Sequence, residues 1–149
     1  MDYQNQDSLK ITGALTVTLF DEHGNVKDER SIKNLVVSAG KTFIASRIVG
    51  TTKAIMSNMA IGTGTTTPAV GQTTLTTEAG RVTLASSSFS SNQVTYTATF
   101  PAGTGTGAIT EAGVFNAASA GDMLCRTTFP VVNKAAGDSI AVTWTVTVS

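Results

Sequence analysis

The ten residues before Ser149 place the strongest constraint on the fold of this chain. From 139 to 148, large apolar side chains alternate with small, mostly hydroxyl-bearing ones, and the large ones are Ile140, Val142, Trp144, Val146 and Val148. A period of two gives an extended strand one apolar face and one hydroxyl-rich face. Because such an apolar strand would promote aggregation at an exposed edge, we expect it to lie inside a sheet. Trp144, the single tryptophan, is predicted to anchor the core.

The remainder of the chain predicts strands that cover this one. Alternating or apolar runs separated by turn residues occur at 11–20, 26–37, 55–61, 81–89, 93–100, 108–115 and 123–129. Ser38 is a candidate cap for one helix over 39–49, which Gly50 would end and which would bury Phe43, Ile44 and Ile48. The pattern predicts an all-β fold with one short helix, an antiparallel jelly-roll-like sandwich of about eight strands. A chain of 149 residues fits one domain, predicted at 11–149 after an N-terminal arm at 1–10.

The balance of charge limits the partners. Ten basic residues offset ten acidic ones, and charged residues make up 13% of the chain, against about 25% in an average domain. This balance argues against nucleic-acid binding and against electrostatic docking to a membrane. Two interpretations stay open, a Thr-rich β protein and a homo-oligomeric subunit whose surface is covered by neighbours. In the second, the polar arm would contact a neighbouring subunit, through Met1, Asp2, Tyr3, Gln4 and Asn5.

Candidate cofactor and metal motifs are incomplete. The glycine-rich stretches 62–64 and 103–107 do not lead into a helical pattern, as a dinucleotide loop must. Gly40, Lys41 and Thr42 form the end of a phosphate-loop motif, but Leu35 stands where its first glycine belongs. The single histidine, His23, lies in a hairpin turn, and the single cysteine, Cys125, lies among apolar residues. We therefore predict no cofactor and no metal site.

Glu111 is the most informative charged residue. In the predicted strand 108–115 it shares a face with apolar residues, where an unpaired carboxylate is costly. Arg126 and Arg81 are the candidate partners, because a guanidinium can bind a carboxylate at two points. The pair is interpreted as a structural ion pair, with general acid–base catalysis as the alternative. A glycan hydrolase would require two carboxylates, for which Glu78 and Glu111 are the candidates.

Four segments resemble small virion proteins of tailed bacteriophages. They are NLVVSAGK at 34–41, MAIGTGTTTPA at 59–69, ITEAGVFN at 109–116 and RTTFPVVNK at 126–134. The resemblance extends over about residues 11–149 and implies a β-rich, non-enzymatic and oligomeric building block. Capsid cement (head-decoration), tail-fibre, baseplate and head–tail joining proteins all belong to this group. The absence of a long fibre repeat or coiled coil disfavours a shaft protein.

The function first predicted from these observations is that of a capsid cement protein. Such a protein would bind the major capsid protein as a dimer or trimer and stabilise the phage head. It would be made in the host cytoplasm, since neither a signal peptide nor an apolar span is evident, and would end on the capsid surface. The alternatives are a tail-fibre, baseplate or head–tail adaptor component that binds tail or baseplate proteins, and an enzyme acting on glycans.

Overall fold

The computed structural model describes residues 8–149, so the contacts predicted for Met1, Asp2, Tyr3, Gln4 and Asn5 lie outside the described residues. Within this range the chain forms nine strands and one helix. Their bounds are β1 Ile11–Phe20, β2 Val26–Val36, α1 Ser38–Ile48, β3 Asn58–Gly62, β4 Glu78–Thr83, β5 Ser86–Ser90, β6 Gln93–Phe100, β7 Gly107–Phe115, β8 Met123–Lys134 and β9 Ser139–Val148. The all-β class with one short helix is confirmed.

The strands form one antiparallel sheet in the order β4-β3-β7-β8-β2-β1-β9-β6-β5. The sheet is curled. Two segments connect the half formed by β4, β3, β7 and β8 with the half formed by β1, β9, β6 and β5. The first is β2, which pairs with β1 over most of its length and with β8 at Leu35 and Val36. The second is the run from β4 to β5: Leu84 donates its amide to Ser57 before β3, and Ala85 donates its amide to Thr97 of β6. The two terminal strands of the order are thus joined by two residues.

The C-terminal strand β9 occupies an interior position, as its alternation predicts. It pairs with β1 from Ile11↔Val148 to Phe20↔Ser139, and with β6 on its other side. The Trp144 side chain is fully buried, and its indole N–H donates to the Asn34 side-chain oxygen at 2.8 Å. Lys10, which the sequence assigned to the arm, exchanges backbone hydrogen bonds with Ser149 at 2.6 and 2.8 Å. The division into arm and single domain stays a prediction.

The helix is present, but two details of its prediction are wrong. Val37 occupies the N-cap position, and no side chain there caps the helix, because Ser38 is already its first residue. Ile48 is 81% exposed rather than buried, since the packed part of α1 is its first half, at Gly40 and Phe43. Gly50 follows the helix with a φ of 70°, the left-handed conformation that commonly ends helices.

Three strand predictions require correction. The run at 81–89 is divided between β4 and β5, because the chain changes sheet partner at Leu84 and Ala85. The apolar run at 55–61 becomes strand only from Asn58. The strand that starts at Met123 continues through Pro130 to Lys134, because the β7–β8 register shifts between Ile109 and Glu111 and so accommodates a residue without an amide hydrogen. The observed order does not specifically confirm a jelly roll.

No helix within residues 8–149 is long and apolar enough to cross a membrane.

Candidate functional site

Glu111 and Arg126 meet in the middle of the sheet. They lie on the neighbouring strands β7 and β8, where Glu111 pairs with Thr128 and Gly113 pairs with Arg126, so the two side chains are diagonal neighbours. The Glu111 carboxylate oxygen Oε1 accepts from Arg126 Nη2 at 2.9 Å and from Nε at 3.2 Å. Both side chains are completely buried. The strand register therefore brings together the first of the two pairs that the sequence nominated.

The carboxylate is also held by the loop between β3 and β4. The amides of Gly64 and Thr77 donate to Oε2 at 2.7 and 2.8 Å, and the amide of Thr76 donates to Oε1 at 2.9 Å. Burial raises the pKa of Glu111, but the amides of Thr77, Thr76 and Gly64 and the Arg126 side chain outweigh it, so the pKa lies below its ordinary value. Glu111 is thus held as an anion.

Arg126 binds the same loop with its remaining donors. Its Nη1 donates to the Thr66 carbonyl and to the Gln72 side-chain oxygen, each at 2.9 Å, and its Nη2 donates to the Thr76 hydroxyl at 2.9 Å. The ion pair therefore fixes residues 63–77, which contain no strand or helix of their own, against the sheet. We call this loop the pinned loop.

The glycines at 62–64 have a different role from a phosphate cradle. Gly64 contributes an amide to an anion, but the anion is the chain's own carboxylate. A Cβ on Gly64 would collide with Glu111 Oε2 and Thr76 Oγ1, so the close approach requires glycine. The stretch at 103–107 forms the turn between β6 and β7 together with the first residue of β7, and Gly103, Gly105 and Gly107 have positive φ.

Gly64→Ala should lower the free energy of unfolding by about 1–3 kcal/mol, because the added methyl group would push the pinned loop off the carboxylate. Urea denaturation would measure this change. Gly71→Ala in the same loop is the matched control, since a Cβ there meets nothing within 4 Å. Equal losses in the two variants would contradict the contact described for Gly64.

Glu111 should also make stability depend on pH. A carboxylate whose pKa is depressed by folding contributes stability above its unfolded value, near 4.5, and loses it as the pH falls through the folded value. We therefore expect the urea midpoint to fall as the pH is lowered below about 4.5. Glu111→Gln should flatten this dependence, and the part left would come from Asp138 and Asp21, whose pKa values are lowered by hydrogen bonds from Lys27 and from the Asn25 amide, respectively. An unchanged slope in the variant would contradict the prediction.

Arg81, the second candidate partner of Glu111, lies elsewhere. It is on β4, and β3 separates that strand from β7. Its guanidinium binds Glu78 through two bonds of 2.6 and 3.2 Å, and donates to the carbonyls of Ala117 and Ala120 at 3.0 and 2.9 Å. The guanidinium carbon lies 3.8 Å from the centre of the Phe115 ring. Arg81 thus holds the turn between β7 and β8.

Two buried charges were missed by the sequence analysis. Lys134, 2% exposed, donates to the Pro101 carbonyl at 3.0 Å, and Asp138, 4% exposed, accepts from Lys27 at 2.7 Å. Lys134 is the last residue of β8, and Asp138 lies in the turn that follows. Their positions at a strand end and in a turn gave no sign of burial, because alternation in sequence describes the interior of a strand.

The remaining candidates are separate from this network. His23 is in the exposed hairpin turn, 3.4 Å from the Glu22 carboxylate. Cys125 is fully buried, and burial raises the pKa of its thiol, so it is a poor nucleophile. Within residues 8–149 no group of three or more His, Cys, Asp or Glu side chains could hold a metal ion. The charged centre of the fold is therefore the Glu111–Arg126 network.

An apolar groove lies on the surface between α1 and the β5–β6 hairpin. It has a volume of about 340 Å³ and is lined by Phe43, Arg47, Ile55, Met56, Ser87, Ser88, Phe89, Val94 and Tyr96. Phe89 is 80% exposed and Ile55 is 63% exposed. We call it the β5 groove. The groove could not be predicted from the sequence, because residues 43–56 and 87–96, which line it, meet only in the folded chain.

Comparison with known protein families gives a match over most of the chain. The model of the family described as phage tail-collar fibre protein, N-terminal, matches residues 29–148, which include part of β2 and every later element. No curated protein and no solved structure is significantly similar to the chain.

Proposed function

We propose a function from one premise: the chain belongs to the phage tail-collar fibre protein, N-terminal, family. It is accordingly a structural component of a phage virion. The finer proposal is that it is a rigid module of the tail-fibre apparatus, which connects a fibre to the tail through contacts with other tail proteins.

The observation that carries this proposal is the extent of the family match. Residues 29–148 contain Glu111, Arg126 and the whole pinned loop. The similarity therefore covers the folded unit together with its buried network, rather than a short motif that many β proteins could share.

The buried network supports a structural role in the assembly. Glu111 and Arg126 direct their bonds to each other and to the pinned loop. A loop of this length would otherwise be among the more mobile parts of a β fold. A domain whose longest loop is fixed from within keeps its shape under load, which suits a part that joins a fibre to a particle.

The proposed role is not enzymatic. A glycosidase requires one carboxylic acid with a raised pKa, which can protonate the leaving group. Glu111 has a lowered pKa and is completely buried, and Glu78 is bound by both arms of the Arg81 fork. Neither carboxylate of the pair nominated from sequence fits the role of general acid.

The family match favours the tail over the head. The sequence alone favours a capsid cement protein over a tail component, whereas the family description supports the tail component better. Location on the capsid surface and binding to the major capsid protein are not supported by the match. They are kept as an outcome of the test that follows.

Immunogold labelling of intact virions tests the proposal. Antibodies against the purified chain should label the tail or the collar region, and antibodies pre-absorbed with the purified chain should label nothing. Label spread evenly over the head would instead identify a cement protein and would overturn the tail proposal.

A further inference from the structure

Strand β5 is an unprotected edge of the sheet. Within the described residues, it is hydrogen-bonded to β6 alone and ends the strand order. All five of its residues are exposed, and their sequence is Ser-Ser-Ser-Phe-Ser. An edge strand presents free backbone donors and acceptors to any other strand, and proteins commonly block this with charged residues, proline or a bulge. None of these features occurs in 86–90.

The other free edges of the sheet carry exposed charge or a proline. The outer strand β4 carries the exposed Glu78. Strand β8 pairs with β2 only at Cys125 and Arg126, and beyond that point it carries Pro130. The first half of β2, which pairs with β1 alone, carries four successive charges at 27–30. Because charged residues and proline both deter pairing with another chain, β5 is the described edge with the fewest features that oppose a further strand.

The two faces of β5 are chemically distinct. Ser86, Ser88 and Ser90 lie opposite the polar residues of β6, namely Thr97, Thr95 and Gln93. On the other face, Ser87 and Phe89 lie opposite Tyr96 and Val94. These two β6 residues line the β5 groove, as does the Phe89 side chain. A strand added beside β5 would therefore continue a hydroxyl-rich face on one side and the groove on the other.

We propose that β5 is a self-association surface, at which a second copy of this chain adds its own β5 in antiparallel register. An antiparallel pair of identical strands is related by a two-fold axis perpendicular to the sheet, so each face meets the same face of the partner. Serines then lie beside serines, and each Phe89 lies beside the Ser87–Phe89 face of the other copy. The strand is complementary to itself because it carries no charge that would be repelled by its own copy.

The wall of the groove provides the apolar surface that such a pair needs. Two strongly exposed apolar residues line it, Ile55 and Phe89, with exposures of 63% and 80%. Arg47, the charged residue that lines the groove, directs Nη1 to the carbonyls of Thr51 and Lys53 at 2.9 and 3.1 Å. Its charge is thus turned towards its own backbone, and pairing would cover apolar side chains that the monomer leaves in water.

Sedimentation of the purified full chain tests the proposal. The wild type should form a species of twice the 15.3 kDa chain mass that dissociates on dilution. Phe89→Lys should weaken association by at least about tenfold, because it removes the apolar contact and places like charges near each other across the two-fold axis. Ala79→Lys is the matched control, since it adds the same charge at an exposed position near the start of β4, seven residues before β5, and it should associate as the wild type does.

Separate measurements check that the variant still folds and that the two β5 strands lie side by side in the dimer. Phe89 is exposed, so the circular dichroism of Phe89→Lys should match that of the wild type, and so should its urea midpoint when both proteins are diluted to the monomer. Ser88→Cys should give a covalent dimer on mild oxidation, whereas Ala79→Cys should not. A wild type that stays monomeric at every concentration, a trimer, or a dimer that tolerates Phe89→Lys would each overturn the proposal. The test uses purified protein, so its result does not depend on where in the virion the chain lies.

Discussion

Glu111→Ala is expected to lower the free energy of unfolding by about 3–5 kcal/mol, because it removes one partner of a buried ion pair. The substitution leaves the Arg126 guanidinium buried without its counter-charge. It also removes the acceptor of three amides in the pinned loop, at Gly64, Thr76 and Thr77. Urea denaturation followed by circular dichroism would measure the loss.

Glu78→Ala is the matched control for Glu111→Ala. Its carboxylate also binds an arginine, but its side chain is 36% exposed, and pairs at such positions contribute about 0–1 kcal/mol. Combining Glu111→Leu with Arg126→Met should recover part of the loss, because it removes both buried charges together. If Glu78→Ala cost as much as Glu111→Ala, burial would not be the source of the effect.

Trp144→Ala should cost about 3–5 kcal/mol, or prevent folding, because it empties the centre of the β1–β9–β6 layer. Trp144 lies between Leu15 of β1 and Tyr96 of β6 in the strand registers, and none of its surface is exposed. Thermal unfolding followed by circular dichroism would measure the difference. Tryptophan fluorescence cannot be used, because the variant lacks the single tryptophan of the chain.

Two variants separate the contributions of Trp144. Trp144→Phe retains most of the apolar contact but leaves the Asn34 oxygen without its donor, so it should cost less than Trp144→Ala. Thr143→Ala on the exposed face of the same strand should change the free energy of unfolding by about 0.5 kcal/mol or less. A large loss in Thr143→Ala would indicate that strand propensity, rather than packing, controls stability here.

Strands with clear alternation were predicted well, for a physical reason. In β1, β6 and β9, one face lies on the core and the other towards solvent, so the burial pattern has the same period as the sequence. In β7, every residue from Ile109 to Phe115 is buried, because β3 and the pinned loop cover it. No alternation between core and solvent exists there, so the burial of both faces could not be predicted from the sequence pattern.

The existence of an ion pair at Glu111 could be predicted from the sequence, but its partner could only be narrowed to two arginines. A carboxylate within the apolar run at 109–115 requires a partner, and that requirement led to Arg126 and Arg81. The choice between them depends on strand order, which places β8 beside β7 and puts β3 between β7 and β4. The amides of Gly64, Thr76 and Thr77 could not be predicted, since backbone donors carry no mark in the side-chain sequence.

The short link at Leu84 and Ala85 ties the two ends of the strand order to each other. In an open sheet, the outermost strands fray independently, and their amides exchange hydrogen with solvent sooner than those of the centre. Here the amide of Leu84 is bonded to Ser57 and that of Ala85 to Thr97. Because only these two residues separate the strands, detachment of β4 from the sheet would also disturb the attachment of β5. Hydrogen exchange should therefore report a single opening event for β4 and β5. Under mechanical stress, neither of these two outer strands would separate from the domain without the other.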